Sequence, residues 1–351
     1  MTTMSRMLWL AIPALVLAGV ISLTATDAQA ITYGQQDCTV PADNVGCQFP
    51  ETVSLSGFRL PTAADNTTED LVSFGRCSGS LLSKDAERIV ILTAGHCASG
   101  YLGDLQSGAI VDVGVSFDAV IERDVSQELG RWSADQYILG GQPVLPAEYG
   151  PQGVNASIIQ FDHAVIVFEA PFTTHEGGAV DLSSIDPVML APLNFLRTRV
   201  GAGKTLPLTA VGYGTGEAHN KPGQGGNAGG AVNSIEEFGQ RWYTDLTTAF
   251  SFMGPKKNLL LGSQNPALGD EGTCGGDSGG PLFYDNDGTQ LQVGVTSSGD
   301  AICRATSIIA RTESATALDF LECVLDGAEA DSLPAIEACG CTEVNSQGEC
   351  D

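Results

Sequence analysis

A serine set among glycines is the strongest chemical signal in this sequence. Residues 272–281 read Gly-Thr-Cys-Gly-Gly-Asp-Ser-Gly-Gly-Pro, with Ser278 as the serine. A serine that attacks a carbonyl carbon must sit on a sharp turn, where its own amide and one two residues earlier face the developing oxyanion. Glycines on both sides permit that backbone. The segment therefore indicates nucleophilic catalysis.

A histidine and a carboxylate that could serve this serine occur earlier in the chain. His96 lies in Thr-Ala-Gly-His-Cys, directly after an apolar run, and an imidazole is the simplest general base near neutral pH. Asp162 precedes another apolar run and could fix the tautomer of the imidazole and stabilise its cation. Asp118 and Asp135 are alternatives in poorer context. His163, next to Asp162, is expected to point away.

These segments together resemble the chymotrypsin/trypsin-like serine protease family. The serine segment matches almost residue for residue, the histidine segment matches with its adjacent cysteine, and the chain order His96, Asp162, Ser278 is the family's order. The resemblance implies that Ser278 attacks the scissile carbonyl, His96 transfers the proton and Asp162 orients His96. It also implies that the amides of Gly276 and Ser278 form the oxyanion hole.

The resemblance extends to cysteines, of which the chain has ten. It implies a Cys77–Cys97 disulfide beside the histidine and a Cys274–Cys303 disulfide beside the serine. The other six cysteines allow 15 pairings. These are Cys38, Cys47, Cys323, Cys339, Cys341 and Cys350. Their spacing does not indicate zinc, and we expect no cofactor or metal.

The resemblance also implies which residues bind substrate. Gly272, six residues before the nucleophile, is expected at the base of the specificity pocket, with Gly299 and Ser307 as its walls. Ser297 lies in a segment similar to the strand that pairs with the substrate backbone. Without a carboxylate at the base, binding of a cation would be costly, so we expect apolar or aromatic side chains rather than Arg or Lys.

Proteases of this family become active when a new N-terminus pairs with the aspartate before the serine, here Asp277. Removal of residues 1–30 would leave Ile31-Thr-Tyr-Gly, similar to the family's Ile-Val-Gly-Gly. A buried carboxylate needs a partner. We therefore expect the ammonium of Ile31 to pair with Asp277. The alternative is that Ile31 is an ordinary first residue.

The first thirty residues have the composition of an export signal. Arg6 precedes an apolar run, and Ala-Gln-Ala at 28–30 is a small-x-small cleavage site. An uncleaved anchor is the alternative. Together with the ten cysteines, this export signal predicts a secreted protein, either extracellular or periplasmic. The net charge of −26 argues against nucleic acid and anionic membranes as partners. We expect a monomer acting on protein or peptide substrates.

Short β-type runs separated by Gly, Asn, Asp and Pro must position these residues. They show no βαβ alternation, which predicts an all-β protein. The resemblance implies two antiparallel six-stranded β-barrels within a protease domain of residues 31–325, at about 31–175 and 185–312. Segments 170–184 and 216–233 are expected loops. A helix is predicted at 315–325, capped by Ser314, and residues 326–351 should form an acidic, disulfide-tied tail.

Two other functions are alternatives to a serine protease. A catalytically inactive homologue would serve as a binding module, but such chains generally lack a triad residue, and all three persist here. An α/β-hydrolase esterase would carry its serine before its acid and its histidine, which is the opposite of the order found.

Overall fold

A computed structural model gives the fold of most of the chain. The residues that it describes are 31, 34–40, 44–65, 69–124, 131–149, 161–199, 205–214, 239–249, 259–265, 270–300, 303–330, 332–345 and 350. The predicted signal at 1–30 and the predicted loop at 216–233 lie outside the described residues.

Strands dominate the described residues. In chain order they are β1 (Gln35–Gln36), β2 (Thr52–Arg59), β3 (Val72–Lys84), β4 (Arg88–Thr93), β5 (Asp112–Ser116), β6 (Arg123–Asp124), β7 (Arg131–Trp132), β8 (Gln142–Pro146), β9 (Ala164–Glu169), β10 (Met189–Leu190), β11 (Thr205–Gly212), β12 (Trp242–Ala249), β13 (Leu259–Ser263), β14 (Pro281–Asn286), β15 (Thr289–Gly299), β16 (Thr306–Arg311) and β17 (Gly340–Cys341). The helices are α1 (Gly95–Ser107), α2 (Phe195–Arg199), α3 (Ala315–Glu329) and α4 (Leu333–Glu337), with a 3₁₀ turn at Ala134–Gln136.

The first sheet is antiparallel and strongly curled. Its strand order is β17-β8-β9-β4-β3-β2-β5. The sheet turns back on itself just before β8, where Ile138 and Val115 of β5 exchange backbone hydrogen bonds of 2.8 and 2.9 Å. In β9 five consecutive residues, 164–168, are fully buried. That pattern is typical of a strand covered on both faces, and its interior positions contribute to the core inside the curled sheet.

The second sheet closes into a six-stranded antiparallel barrel. Its order is β12-β11-β14-β15-β16-β13, and β13 pairs again with β12. Two short strands extend it: β1 pairs with β12, and β10 pairs in parallel with β15. The predicted all-β, chymotrypsin-like fold followed by a C-terminal helix is confirmed, with one closed six-stranded barrel and a first sheet of seven strands.

Helix α3 covers the place where the two sheets meet. Ser314 caps it by accepting a hydrogen bond from the Ala317 amide at 3.4 Å. Its buried Phe320 and Leu321 pack in one cluster with residues of both sheets. The helix runs past the predicted end at 325 to Glu329. Within this extension α4 packs so closely against Gly327 that a Cβ there would lie 2.9 Å from Ile336 N.

The tail after α3 returns to the first sheet. Strand β17 pairs with β8, and Val344 packs in a cluster with Ala98 and Leu102 of α1. All ten cysteines are paired. The two disulfides implied by the resemblance, Cys77–Cys97 and Cys274–Cys303, are confirmed. The other three are Cys38–Cys47, Cys323–Cys339 and Cys341–Cys350.

Candidate active site

His96 occupies the first turn of α1, immediately after β4. Its Nδ1 lies 2.9 Å from Asp162 Oδ2 and 3.1 Å from Oδ1, and its backbone N–H donates to Oδ1 at 2.7 Å. Because a carboxylate can only accept, Nδ1 carries the proton of the neutral ring. The Ala94 side chain cannot cap this helix. The Asp162 carboxylate therefore both satisfies an orphan amide at the helix N-terminus and fixes the ring.

The electrostatics of this pair favour a basic imidazole. Asp162 is 2% exposed, whereas the His96 side chain is 38% exposed. Burial lowers the pKa of His96, but the charge of Asp162 and its hydrogen bond outweigh burial and raise that pKa above its usual value. Because Nδ1–H faces the carboxylate, the neutral ring leaves Nε2 free to accept a proton.

Ser278 sits on a tight turn that packs against the histidine segment. The turn is closed by hydrogen bonds from Asp277 N to Cys274 O at 3.1 Å and from Gly280 N to Asp277 O at 2.8 Å. Gly279 has φ +84°, and a Cβ there would lie 2.1 Å from Thr93 Oγ1. Only glycine satisfies both demands at this position.

Cys97, which is bonded to Cys77, contacts both His96 and Ser278 and so limits how far apart these two residues lie. Cys97 Sγ lies 3.7 Å from His96 Nε2 and 3.7 Å from the Ser278 carbonyl oxygen, so those two atoms are at most twice that distance apart. The Ser78 amide donates to the same carbonyl at 2.7 Å and fixes this turn on β3. The structure thus brings all three predicted triad residues into one region.

The two amides predicted to form the oxyanion hole are also on this turn. Gly276 adopts φ +98°, and its carbonyl accepts a hydrogen bond from Ser78 Oγ at 3.0 Å. Within the described part of the chain, the amides of Gly276 and Ser278 donate to no protein acceptor. Both amides are therefore free to donate hydrogen bonds to a substrate oxyanion.

Asp277, the residue before Ser278, points into the protein. It is fully buried, and its carboxylate accepts hydrogen bonds from Gly214 N at 2.7 Å and Cys274 N at 2.8 Å. Burial raises the pKa of Asp277 to about 7, although these two bonds lower it. Ile31 is also fully buried and has φ +33°, a strained value for a β-branched residue. No hydrogen bond or ion pair joins Ile31 and Asp277 among the described residues.

The predicted substrate-binding residues lie together at the end of β15 and the start of β16, with Gly272 beside them. Gly299 pairs with Ser307, and Ser307 Oγ is 2.8 Å from Thr273 Oγ1, next to Gly272. Disulfide Cys274–Cys303 joins the segments after Gly272 and β15.

Ser297 has a contact that sequence reasoning did not predict. Its Oγ donates to Asp162 Oδ2 at 2.5 Å, the same oxygen that His96 Nδ1 contacts at 2.9 Å. No motif predicted this contact, because the segment around Ser297 indicated only backbone pairing with substrate.

The rival titratable residues lie elsewhere. Asp118 accepts hydrogen bonds from Asn44 and Gln136 at 2.9 and 2.8 Å. His163 is 1% exposed, and its ring packs on Phe320 with centroids 5.8 Å apart. Burial lowers the pKa of His163 to about 4, although Asp162 opposes that shift. His163 points away from the site, as expected.

Two clusters of possible metal ligands occur among the described residues, and each contains a disulfide. They are Cys77–Cys97 with His96 and Cys38–Cys47 with Asp37. A disulfide sulfur is not a thiolate and is a poor metal ligand. No described helix has both the length and the apolar character needed to cross a bilayer.

A comparison with models of known protein families gave a match. The family model described as trypsin matches residues 63–321, which include His96, Asp162 and Ser278. A search of curated proteins found no match.

Proposed function

The chain belongs to the trypsin family of serine proteases, and from that premise we propose that it is a secreted serine endopeptidase whose triad is His96, Asp162 and Ser278. The observation that carries the proposal is the double hold of Asp162 on His96, through Nδ1 and through the backbone amide. That hold fixes the ring beside the glycine-rich turn of Ser278.

The proposed steps are those of the family's triad. Ser278 Oγ attacks the scissile carbonyl carbon while its proton passes to His96 Nε2. The imidazolium is stabilised by Asp162, and the oxyanion accepts hydrogen bonds from the amides of Gly276 and Ser278. The C–N bond then breaks as His96 protonates the leaving amine. Water hydrolyses the acyl-enzyme with His96 as base and then as acid.

Ser297 supports the role of Asp162 in this mechanism. Its hydroxyl and the His96 amide both donate to the carboxylate, so the oxygens of Asp162 are held while the His96 ring changes charge. A fully hydrogen-bonded carboxylate costs less to keep buried and ionised.

We propose that export also activates the protein. Residues 1–30 would be removed, leaving a protease domain of 31–325 and a tail of 326–351. The new ammonium of Ile31 would pair with Asp277, which is buried without a cation among the described residues. Cleavage would also remove the strain at Ile31, because φ of a first residue is unrestrained. Five disulfides support an oxidising destination.

Digestion of a peptide library tests the proposal and its main rival, an inactive binding module. The protein is expressed as the full chain and recovered after export, alongside a Ser278→Ala variant. We expect endoproteolytic cleavage by the first and a fall of roughly 10⁶-fold for the second. Equal cleavage by both would remove Ser278 from the mechanism, and no cleavage by either would favour the binding module.

A further inference from the structure

A buried glutamine lies at the base of the predicted specificity pocket. A Cβ added to Gly272 would lie 1.9 Å from Gln264 Oε1 and 2.2 Å from Gln264 Cβ, and a Cβ added to Gly299 would lie 3.7 Å from Gln264 Nε2. The Gln264 side chain therefore spans the space between the base and one wall. It fills space at the base of the pocket, where the sequence predicted only Gly272.

Hydrogen bonds hold this side chain in place. Ser307 Oγ donates to Gln264 Oε1 at 2.7 Å, and Gln264 Nε2 donates to Asp300 Oδ1 at 3.1 Å and to Thr306 O at 3.4 Å. Gln264 is 1% exposed. Moving the amide aside would leave buried polar groups without hydrogen-bond partners, which is unfavourable. The side chain is therefore a fixed part of the pocket.

Asp300, which accepts a hydrogen bond from Gln264, accepts its other hydrogen bonds from backbone amides. Besides Gln264, Asp300 accepts hydrogen bonds from Ala305 N and Thr306 N at 2.8 Å and from Arg304 N at 3.1 Å. Burial raises the pKa of Asp300, but these bonds outweigh burial and lower that pKa below its usual value. The carboxylate is thus ionised and already bonded, with the Gln264 amide between it and Gly272.

We propose that Gln264 is the specificity-determining residue of this protease, and that it restricts the residue before the scissile bond (P1) to short, uncharged side chains such as Ala, Ser, Thr and Val. The inference rests on the proposed function. A long aromatic side chain would have to displace the amide from its three hydrogen bonds. A Lys or Arg side chain would reach an uncharged amide in place of a carboxylate. This narrows the expectation drawn from the sequence, which included aromatic residues.

Two variants separate filling of the pocket from its polarity. Gln264→Ala empties the base, whereas Gln264→Met fills a similar volume without the amide. Wild type and both variants are assayed on peptide substrates that differ only at P1, which is Ala, Val, Phe or Lys. A burst with p-nitrophenyl acetate, which carries no P1 side chain, reports separately on Ser278.

We expect kcat/KM of wild type for Ala and Val to exceed that for Phe and Lys by about 10-fold or more. Gln264→Ala should raise the Phe-to-Ala ratio by about 10- to 100-fold, and Gln264→Met should keep the wild-type order. A wild-type preference for Phe or Lys would overturn the inference. So would an unchanged ratio in a Gln264→Ala protein that retains its burst. Absence of both burst and peptide cleavage in wild type would instead overturn the proposed function.

Discussion

Adding Ala30 to the mature protein should make its stability depend on pH in a way that a protein beginning at Ile31 does not show. With the Ile31 nitrogen in a peptide bond, Asp277 is buried and pairs with no described cation. Burial raises the pKa of Asp277 from 3.8 to about 7, despite hydrogen bonds from the Cys274 and Gly214 amides. That difference corresponds to roughly 4 kcal/mol for the ionised form.

The sign of the effect follows from proton binding. A carboxyl whose pKa is higher in the folded state binds more protons when folded, so the free energy of unfolding falls as the pH rises from about 4 to about 7. The extended protein should therefore lose roughly 4 kcal/mol over this range. In the mature protein the Ile31 ammonium should pair with Asp277, lower the pKa of that carboxyl and remove the loss.

Urea unfolding of the two proteins between about pH 4 and pH 8 measures the effect. Both carry Ser278→Ala to prevent self-digestion. Other buried groups with shifted pKa, such as Glu51 and His163, are present in both, so the difference between the two curves isolates Asp277. Active versions are compared for peptide hydrolysis, which the extra residue should abolish. Equal pH profiles, or an extended protein as active as the mature one, would refute the reasoning.

Three other predictions concern single residues. Ser297→Ala removes a hydroxyl that donates to Asp162 at 2.5 Å, so kcat should fall by about 10-fold with little change in KM. Steady-state kinetics measure both constants, and an unchanged kcat would contradict the prediction. His163, whose pKa burial lowers to about 4, should cost the fold roughly 3 kcal/mol as the pH falls from about 6.5 to about 4; urea unfolding should find that loss absent in His163→Phe, and its persistence would exclude His163 as the source. Gly279→Ala places a Cβ 2.1 Å from Thr93 Oγ1 at φ +84°, so we expect about 2–4 kcal/mol of destabilisation in thermal unfolding and loss of hydrolysis, and near-native stability would mean that the turn can move.

The sequence predicted the parts of the site that demand particular residue types. Ser278 needs glycines in its turn, and His96 is followed by the cysteine that ties its segment to β3, so both left recognisable motifs. The core strands were also predicted, because apolar runs such as the one at 88–93 coincide with β4. Asp162 was predicted from its position before β9, whereas the Ser297 hydroxyl that donates to it comes from a distant segment and left no signal.

The missed features depend on packing between distant segments. Helix α1 contains Gly95, Gly100 and Gly103 and has a weak apolar pattern, so no helix was predicted there. Its buried face is completed by Leu145 and Val344, which come from β8 and the tail. Gln264 follows a strand without any motif, and only the fold brings it beneath the pocket.

Each sheet takes one outermost strand from the opposite end of the chain, which affects when the sheets can be completed during synthesis. Strand β1 comes from the start of the described chain but joins the second sheet, and β17 comes from the tail but joins the first. Neither sheet is therefore built from one continuous stretch of chain. While the chain is made from its N-terminus, the free edge of β8 stays unpaired until β17 follows. The helix that carries His96 gains its last neighbour at the same late moment, so an incomplete chain should be a poor catalyst as well as an incomplete fold.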